Sequence, residues 1–208
     1  MAKNIKKDWV GSKNSVFTTL GASNHTTDER AELDFYATSP EAVKKFYNTY
    51  WNELGMSTFL WECACGNGHI VKALKELNPN LNIKSSDIVK RDFECEIIDF
   101  LKVQLHNCEI DIITNPPYIQ AMEFCKKAID IIANNRKVLM FLKITFLESK
   151  KRKHFFETYP PKYVMVFSDR VSAAKNGDEK KFKTDNAACY AWFVWEKGFQ
   201  GSTVIKWI

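Results

Sequence analysis

The chain has 208 residues, enough for one α/β domain with a substantial core, and its 45% hydrophobic and 26% charged residues are ordinary for a soluble globular protein. No apolar run approaches the roughly 20 residues that a membrane-spanning helix needs, and no apolar segment of a secretory signal follows the basic N-terminus. The formal net charge of +5 permits a polyanionic partner without requiring one. We therefore expect a cytoplasmic protein that does not bind membranes.

The six cysteines are scattered along the chain. None forms a C-x-x-C pair, and no two pairs have the spacing of a zinc site. The pattern favours reduced, mostly buried thiols, and we expect no bound metal.

The chain begins with a polar stretch, residues 1–33, that lacks a clear hydrophobic period and is interpreted as an irregular arm. Residues 34–208 are expected to form a single domain. Its first helix is strongly marked, because Ser39 can act as N-cap, Pro40 suits the first helical position and Gly55 is a typical C-terminal stop.

Short apolar runs alternate with helical patterns through the middle of the chain. We expect strands at Thr58–Cys63, Leu81–Ser86, Glu96–Ile98, Ile110–Thr114 and Val138–Phe146. This alternation predicts an α/β fold with a mostly parallel central sheet and helices on both faces.

The pattern changes after Phe146, where a basic helix precedes three further strand-like runs. These runs are Tyr163–Phe167, Cys189–Trp195 and Thr203–Ile208. The last two can form an antiparallel pair joined around Gly198 and Gly201, and the aromatic residues that alternate along them are expected to pack in the core.

The most unusual stretch is Asn115-Pro116-Pro117-Tyr118, which follows the expected strand Ile110–Thr114. Two prolines end a strand and hold the preceding residues extended, so an Asn amide, a free carbonyl and a Tyr ring meet at one place. These groups can grip a planar group that carries an exocyclic amine, although a rigid turn with no function is the simpler alternative.

Other unusual residues also fall where predicted strands end, the edge at which α/β sheets bind ligands. Gly66 and Gly68 form a tight turn, but Val71 stands where the dinucleotide fingerprint requires a third glycine, which counts against NAD. Asp87 lies about twenty residues further on, the spacing of an acid that holds ribose hydroxyls, although a helix cap or a turn residue is the alternative. The pair Asp99-Phe100 can hold an adenine or simply form a turn.

In this order, the motifs resemble those of S-adenosylmethionine-dependent DNA adenine-N6 methyltransferases of the small phage and prophage type. The matching segments are Asp34 to Thr38, Glu62-x-x-Cys65-Gly66-x-Gly68, Asp87, Asp99-Phe100 and Asn115-Pro116-Pro117-Tyr118. The resemblance implies a class I, Rossmann-like methyltransferase fold, S-adenosylmethionine as cofactor and a role in restriction-modification, protection or regulation in a bacterial or phage-infected cell.

The resemblance also implies roles for individual residues. Those expected at the methionine end of the cofactor are Phe35, Tyr36 and Thr38. Those expected to shape the loop around it are Glu62, Cys65, Gly66 and Gly68. Those expected at its ribose and adenine are Asp87, Ile88, Asp99 and Phe100. Cys65 replaces a usually smaller residue, and no recognisable target-recognition domain is present.

The chemistry of the tetrapeptide can be argued directly. The Asn115 side chain and the Pro116 carbonyl can accept hydrogen bonds from the two N–H groups of an adenine amine, which makes its nitrogen more nucleophilic. Tyr118 can stack on the base. Direct attack on the methyl group then needs no covalent intermediate, and in duplex DNA the base must first be flipped out.

Basic residues of the C-terminal half are expected to contact DNA phosphates, although each is alternatively an ordinary surface charge. They are Lys150, Lys151, Arg152, Arg170, Lys175, Lys180, Lys181 and Lys183. Two alternatives stay open: methylation of RNA adenine or of a protein glutamine amide, and a non-catalytic nucleic-acid-binding or cofactor-binding protein. We expect a monomer or a weak dimer.

Overall fold

The structure, a computed structural model, describes residues 35–175, 182 and 188–208. Contacts divide the chain into residues 1–30 and 31–208, and the described residues all belong to the second unit. The expected N-terminal arm lies outside the described residues. No helix in the described part of the chain is long and apolar enough to cross a membrane.

The described residues form ten strands and four helices. The strands are β1 (Tyr36–Thr38), β2 (Phe59–Glu62), β3 (Asn82–Asp87), β4 (Glu96–Ile97), β5 (Asp111–Thr114), β6 (Lys137–Lys143), β7 (Tyr163–Val166), β8 (Ala173–Lys175), β9 (Tyr190–Glu196) and β10 (Val204–Trp207). The helices are α1 (Pro40–Leu54), α2 (His69–Leu77), α3 (Ala121–Ile131) and α4 (Lys150–Thr158).

Eight strands form one sheet in the order β10-β7-β9-β6-β5-β2-β3-β4. All neighbours are parallel except β9, which runs antiparallel to both β6 and β7. Along the chain, β3 and β4 are added in turn on one side of β2, as far as one edge of the sheet, and β5 is then added on the other side of β2. The carboxyl ends of β2 and β5 therefore flank the switch point where α/β sheets bind ligands.

Buried apolar side chains cover both faces of the sheet. Helices α1 and α2 pack in one cluster with Trp192 of β9, whereas α3 and α4 pack in the other with Phe193 and Trp195. The aromatic residues of β9 thus alternate between the two cores, as expected, whereas Trp207 of β10 is 66% exposed and does not pack in the core. The fold prediction of a mostly parallel α/β sheet with helices on both faces and antiparallel pairing near the C-terminus is confirmed.

Two local expectations are wrong. The strand expected at Val138–Phe146 ends at Lys143, and Ile144–Leu147 form a 3₁₀ turn instead. Phe146 is buried inside that turn, which explains why the apolar pattern continues beyond the strand. The last two strands do not pair with each other, because β6 and β7 occupy both edges of β9, and β10 joins β7 in parallel.

One pairing was not predicted at all. The short strands β1 and β8 form a separate antiparallel ribbon, with Tyr36 opposite Lys175 and Thr38 opposite Ala173. This ribbon fixes the backbone of Tyr36, which matters for the site described next.

Candidate functional site

The motif after β5 begins where the strand ends at Thr114 and continues into a 3₁₀ turn, Tyr118–Gln120. The turn is closed by the Gln120 amide, which donates to the Pro117 carbonyl at 3.0 Å. No hydrogen bond from a described residue reaches the Pro116 carbonyl. The double proline therefore presents one unused acceptor at the end of a central strand.

The Asn115 side chain is oriented by β1. Its amide nitrogen donates to the Tyr36 carbonyl at 2.7 Å. The side-chain oxygen Oδ1 is buried and accepts no hydrogen bond from any described residue. Leaving a buried acceptor unpaired costs roughly 1–3 kcal/mol, so the arrangement holds an oxygen ready for an N–H donor.

The Tyr118 ring packs against other side chains beside this acceptor. It stacks on Tyr36 with ring centroids 5.1 Å apart, and the Lys143 ammonium lies 5.2 Å from its centroid. Burial raises the pKa of the Tyr118 hydroxyl well above its ordinary value, so the group stays neutral. A base that stacks on Tyr118 would have to displace one of these two neighbours.

The glycine turn after β2 needs both glycines. Gly66 and Gly68 have backbone φ angles of +53° and +75°, which residues other than glycine rarely adopt. A Cβ on Gly66 would lie 2.2 Å from the Phe35 ring, and one on Gly68 would lie 2.4 Å from the Phe93 ring. Each glycine therefore allows a left-handed turn and the close approach of an aromatic ring.

Asp87 joins this turn to the end of β3. One carboxylate oxygen accepts from the Gly66 amide at 2.8 Å, and the other accepts from the Val89 amide at 3.0 Å. The carboxylate thus fixes the glycine turn and still lines the cavity beside it. Its use as a turn residue does not exclude a ligand, because each oxygen can accept a second hydrogen bond.

Asp99 and Phe100 lie on the other side of the same cavity. Asp99 accepts from the Leu101 amide at 3.2 Å and pairs with Lys102 at 2.9 Å. The Phe100 ring is 2% exposed and packs between Trp61 and Phe124. It forms part of the cavity wall from within the core.

Burial dominates the titration of the groups at the end of β2. It raises the pKa of the Glu62 carboxyl to about 8, and one Glu62 oxygen, Oε2, is buried without a hydrogen-bond partner among the described residues. Burial likewise raises the pKa of the Cys63 and Cys65 thiols. Both thiols are therefore protonated and poor nucleophiles at neutral pH.

These elements surround a cavity of about 290 Å³. The predicted residues that line it are Phe35, Tyr36, Asp87, Ile88, Asp99, Phe100, Asn115 and Pro117. A much smaller adjoining space, about 10 Å³, is lined by Thr38, Glu62 and Cys65 together with Phe35, Tyr36 and Asn115. Most of the sequence motifs thus converge at the carboxyl edge of the sheet. Gly66, Gly68, Pro116 and Tyr118 line neither space, and Tyr118 instead lines a separate pocket of about 110 Å³ with Lys143 and Arg152.

Sequence reasoning missed several residues of the cavity wall, of which Arg91 carries the most chemistry. The others include Cys63, Ala64, Ile98, Leu101, Lys102, Gln120 and Phe124. Arg91 belongs to the polar segment between β3 and β4, which offers no periodic pattern and no known spacing to mark it. Within the described residues, no group of three or more His, Cys, Asp or Glu could hold a metal ion.

The expected phosphate-contacting residues differ in their surroundings. Lys150 and Lys151 are exposed at the start of α4. Arg152 instead donates to the carbonyls of Thr145, Phe146 and Glu148, so it holds the turn after β6.

The remaining predicted basic residues lie further along the chain. Arg170 is exposed and donates to the Cys189 sulfur at 3.2 Å. Lys175 ends β8, and its side chain is not described. Lys180, Lys181 and Lys183 lie outside the described residues.

Comparison with solved structures identifies the architecture. The chain superposes over 93% of its length on 72% of a protein from Listeria monocytogenes assigned as a class I S-adenosylmethionine-dependent methyltransferase, with a TM-score of 0.55 and 11% identity. A protein from Pyrococcus horikoshii assigned as an RNA methyltransferase superposes over its whole length on 92% of this chain, with a TM-score of 0.56 and 12% identity. The 23S rRNA methyltransferase ErmE matches with a TM-score of 0.52 and 13% identity, over 80% of this chain and 73% of that one.

At these identities the likeness shows the fold alone. No protein-family model matches the sequence, and a search of curated proteins finds no significant match. The chain therefore has the fold of class I, Rossmann-like methyltransferases, and the predicted site lies at the switch point of that fold.

Proposed function

We propose that the protein transfers a methyl group from S-adenosylmethionine to the N6 amine of adenine in DNA. The observation that carries this proposal is the buried, unpaired Oδ1 of Asn115, fixed by the hydrogen bond from the same amide to Tyr36. An acceptor held in this way suits the N–H bond of a planar amine, which needs an acceptor to become nucleophilic.

The cavity fits the cofactor by the chemistry of its walls. Asp87 and Asp99 would hold the ribose hydroxyls and the adenine, and the glycine turn would carry the amino-acid end. S-adenosylmethionine, when bound, supplies an electrophilic methyl group on a positively charged sulfur.

The residues of the motif would act on the acceptor base. Asn115 Oδ1 and the Pro116 carbonyl would accept the two N–H bonds of the amine, and the Tyr118 ring would stack on the flipped base, a contact worth roughly 1–3 kcal/mol. The amine nitrogen would bond to the methyl carbon as the carbon–sulfur bond breaks, S-adenosylhomocysteine would leave, and the extra proton of the amine would pass to solvent water. The protonated, buried thiols of Cys63 and Cys65 suit a direct transfer that needs no cysteine nucleophile.

RNA adenine is the second candidate acceptor. Two of the fold neighbours are named as RNA methyltransferases, and the acceptors of Asn115 and Pro116 suit any planar amine. A protein glutamine amide meets the same requirement, whereas the exposed Lys150 and Lys151 favour a polyanion.

A transfer assay with labelled S-adenosylmethionine on DNA, RNA and protein tests the proposal. We expect label in DNA and N6-methyladenine among the digested nucleosides, lost in Asn115→Ala. Label confined to RNA or to protein would show that DNA is not the acceptor. Cofactor binding without transfer to any acceptor would favour a non-catalytic protein.

A further inference from the structure

Arg91 is a positively charged residue of the main cavity to which the proposed function assigns no role. It lines the cavity, and its guanidinium lies 4.2 Å from the centroid of the Phe35 ring. That ring in turn touches the glycine turn, because a Cβ on Gly66 would lie 2.2 Å from it. The guanidinium is therefore held over the aromatic ring that covers the glycine turn.

The acids of the cavity are already engaged elsewhere. Asp87 accepts from two main-chain amides, and Asp99 pairs with Lys102. Among the described residues, Arg91 forms no ion pair, and its Nε is buried without a hydrogen-bond partner. A guanidinium in a cavity wall without an acceptor among the described residues is costly, and an anionic ligand in that cavity would supply one.

We propose that Arg91 binds the carboxylate of the amino-acid end of S-adenosylmethionine. The inference rests on the proposed cofactor, whose only anionic group is that carboxylate. The planar guanidinium fork matches a carboxylate with two parallel hydrogen bonds, and stacking on Phe35 fixes its plane. Arg91 thus discriminates ligands that carry the amino-acid end from those that lack it.

A nucleic-acid phosphate is the other anion this protein would meet. The position of Arg91 in the wall of a cavity of about 290 Å³ favours the small ligand, because a nucleic-acid strand is too large for that space. Binding measured without nucleic acid separates the two.

The test compares two ligands by calorimetry on the purified full chain. S-adenosylhomocysteine carries the amino-acid end, whereas 5′-methylthioadenosine has the same nucleoside and sulfur without it. We expect Arg91→Gln to weaken binding of S-adenosylhomocysteine about 10- to 100-fold and to leave 5′-methylthioadenosine unchanged, the range of one charge-assisted hydrogen bond. Arg91→Lys, which keeps the charge without the fork, should give an intermediate loss.

Lys102→Gln is the matched control, because it removes a charge from the same wall at a residue already paired with Asp99. It should shift both affinities by the same factor. Equal losses for both ligands in Arg91→Gln, or no loss for either, would overturn the inference.

The acceptor does not enter this experiment, so an error in the proposed DNA substrate cannot change its outcome. If the wild-type protein binds neither compound, the proposed cofactor fails, and the inference fails with it. Unchanged binding in Arg91→Gln with tight wild-type binding refutes Arg91 alone.

Discussion

The side-chain nitrogen of Asn115 lies 2.7 Å from the main-chain oxygen of Tyr36, a residue 79 positions earlier in the chain. The bond decides the orientation of the amide, because a carbonyl accepts from the nitrogen and leaves Oδ1 as the acceptor without a partner among the described residues. The β1–β8 ribbon holds the Tyr36 backbone, so elements distant in sequence orient the proposed catalytic group.

Replacement of Asn115 by alanine should remove methyl transfer while S-adenosylhomocysteine affinity changes little. The loss should be 100-fold or more in kcat, the usual effect of deleting a preorganised polar group at a reacting atom. Radiolabel transfer and calorimetry measure the two quantities. Equal losses of transfer and of cofactor affinity would remove the proposed role.

Asn115→Asp is a useful companion variant. It keeps an acceptor oxygen but cannot donate to the Tyr36 carbonyl, which its charge repels. We expect it to lose activity as well, because the orientation given by Tyr36 is lost. Full activity in this variant would show that an acceptor oxygen suffices without the bond to Tyr36.

Gly66→Ala should weaken cofactor binding more than backbone strain alone explains. Gly55 provides the control, since its φ of +57° nearly equals the +53° of Gly66, yet a Cβ there would have nothing within 4 Å. Each substitution should cost roughly 1–2 kcal/mol of stability from the left-handed backbone. Gly66→Ala must in addition displace the Phe35 ring.

Denaturation and S-adenosylhomocysteine binding measured on both variants separate the two effects. Phe35→Ala in the Gly66→Ala background should recover part of the lost stability, because it removes the clash. If Gly55→Ala and Gly66→Ala have the same stability and both bind normally, the contact between Gly66 and Phe35 has no energetic role.

Glu62→Gln should change how stability depends on pH. Burial raises the pKa of Glu62 from 4.5 to about 8, so the native state keeps a proton that the unfolded chain loses above pH 4.5. The contribution of Glu62 to stability is therefore fully present below pH 4.5 and is lost as pH rises towards 8. The loss amounts to at most about 1.4 kcal/mol per pH unit.

The free energy of unfolding of wild type minus that of Glu62→Gln should accordingly fall between pH 5 and pH 8 and become level above that range. Urea denaturation of both proteins at each pH measures it, and the subtraction cancels the other titrating groups. A difference that stays constant with pH would mean that Glu62 is ionised in the folded protein.

Local signals predicted most of the fold. The helix α1 has its start at Ser39-Pro40 and its left-handed Gly55 end where the sequence indicates, although the Ser39 side chain makes no capping hydrogen bond. The double proline ends β5 as expected. These signals succeed because each depends on the dihedral preferences of one or two residues.

Features that depend on distant partners were not predictable from such signals. The ribbon of β1 and β8 joins three-residue strands across more than 130 positions, too short for a hydrophobic period to show. The partner of β10 depends on which strand edges remain free after β6 and β7 have bound β9. The path of one loop places Arg91 in the cavity wall, and the role proposed for it rests on the absence of a partner among the described residues.

Neutralising Lys150 and Lys151 together should weaken DNA binding and reduce its dependence on salt. Both side chains are exposed at the start of α4, just beyond the carboxyl end of β6 that faces the site. Each lost phosphate contact should lower the slope of log K against log salt by about 0.9 for duplex DNA.

The matched control is Arg136→Gln with Lys137→Gln, which removes the same charge at the amino end of β6. Fluorescence anisotropy at several salt concentrations should give a smaller slope for the first pair and an unchanged slope for the second. Equal slopes in both double variants would assign Lys150 and Lys151 to the ordinary charged surface.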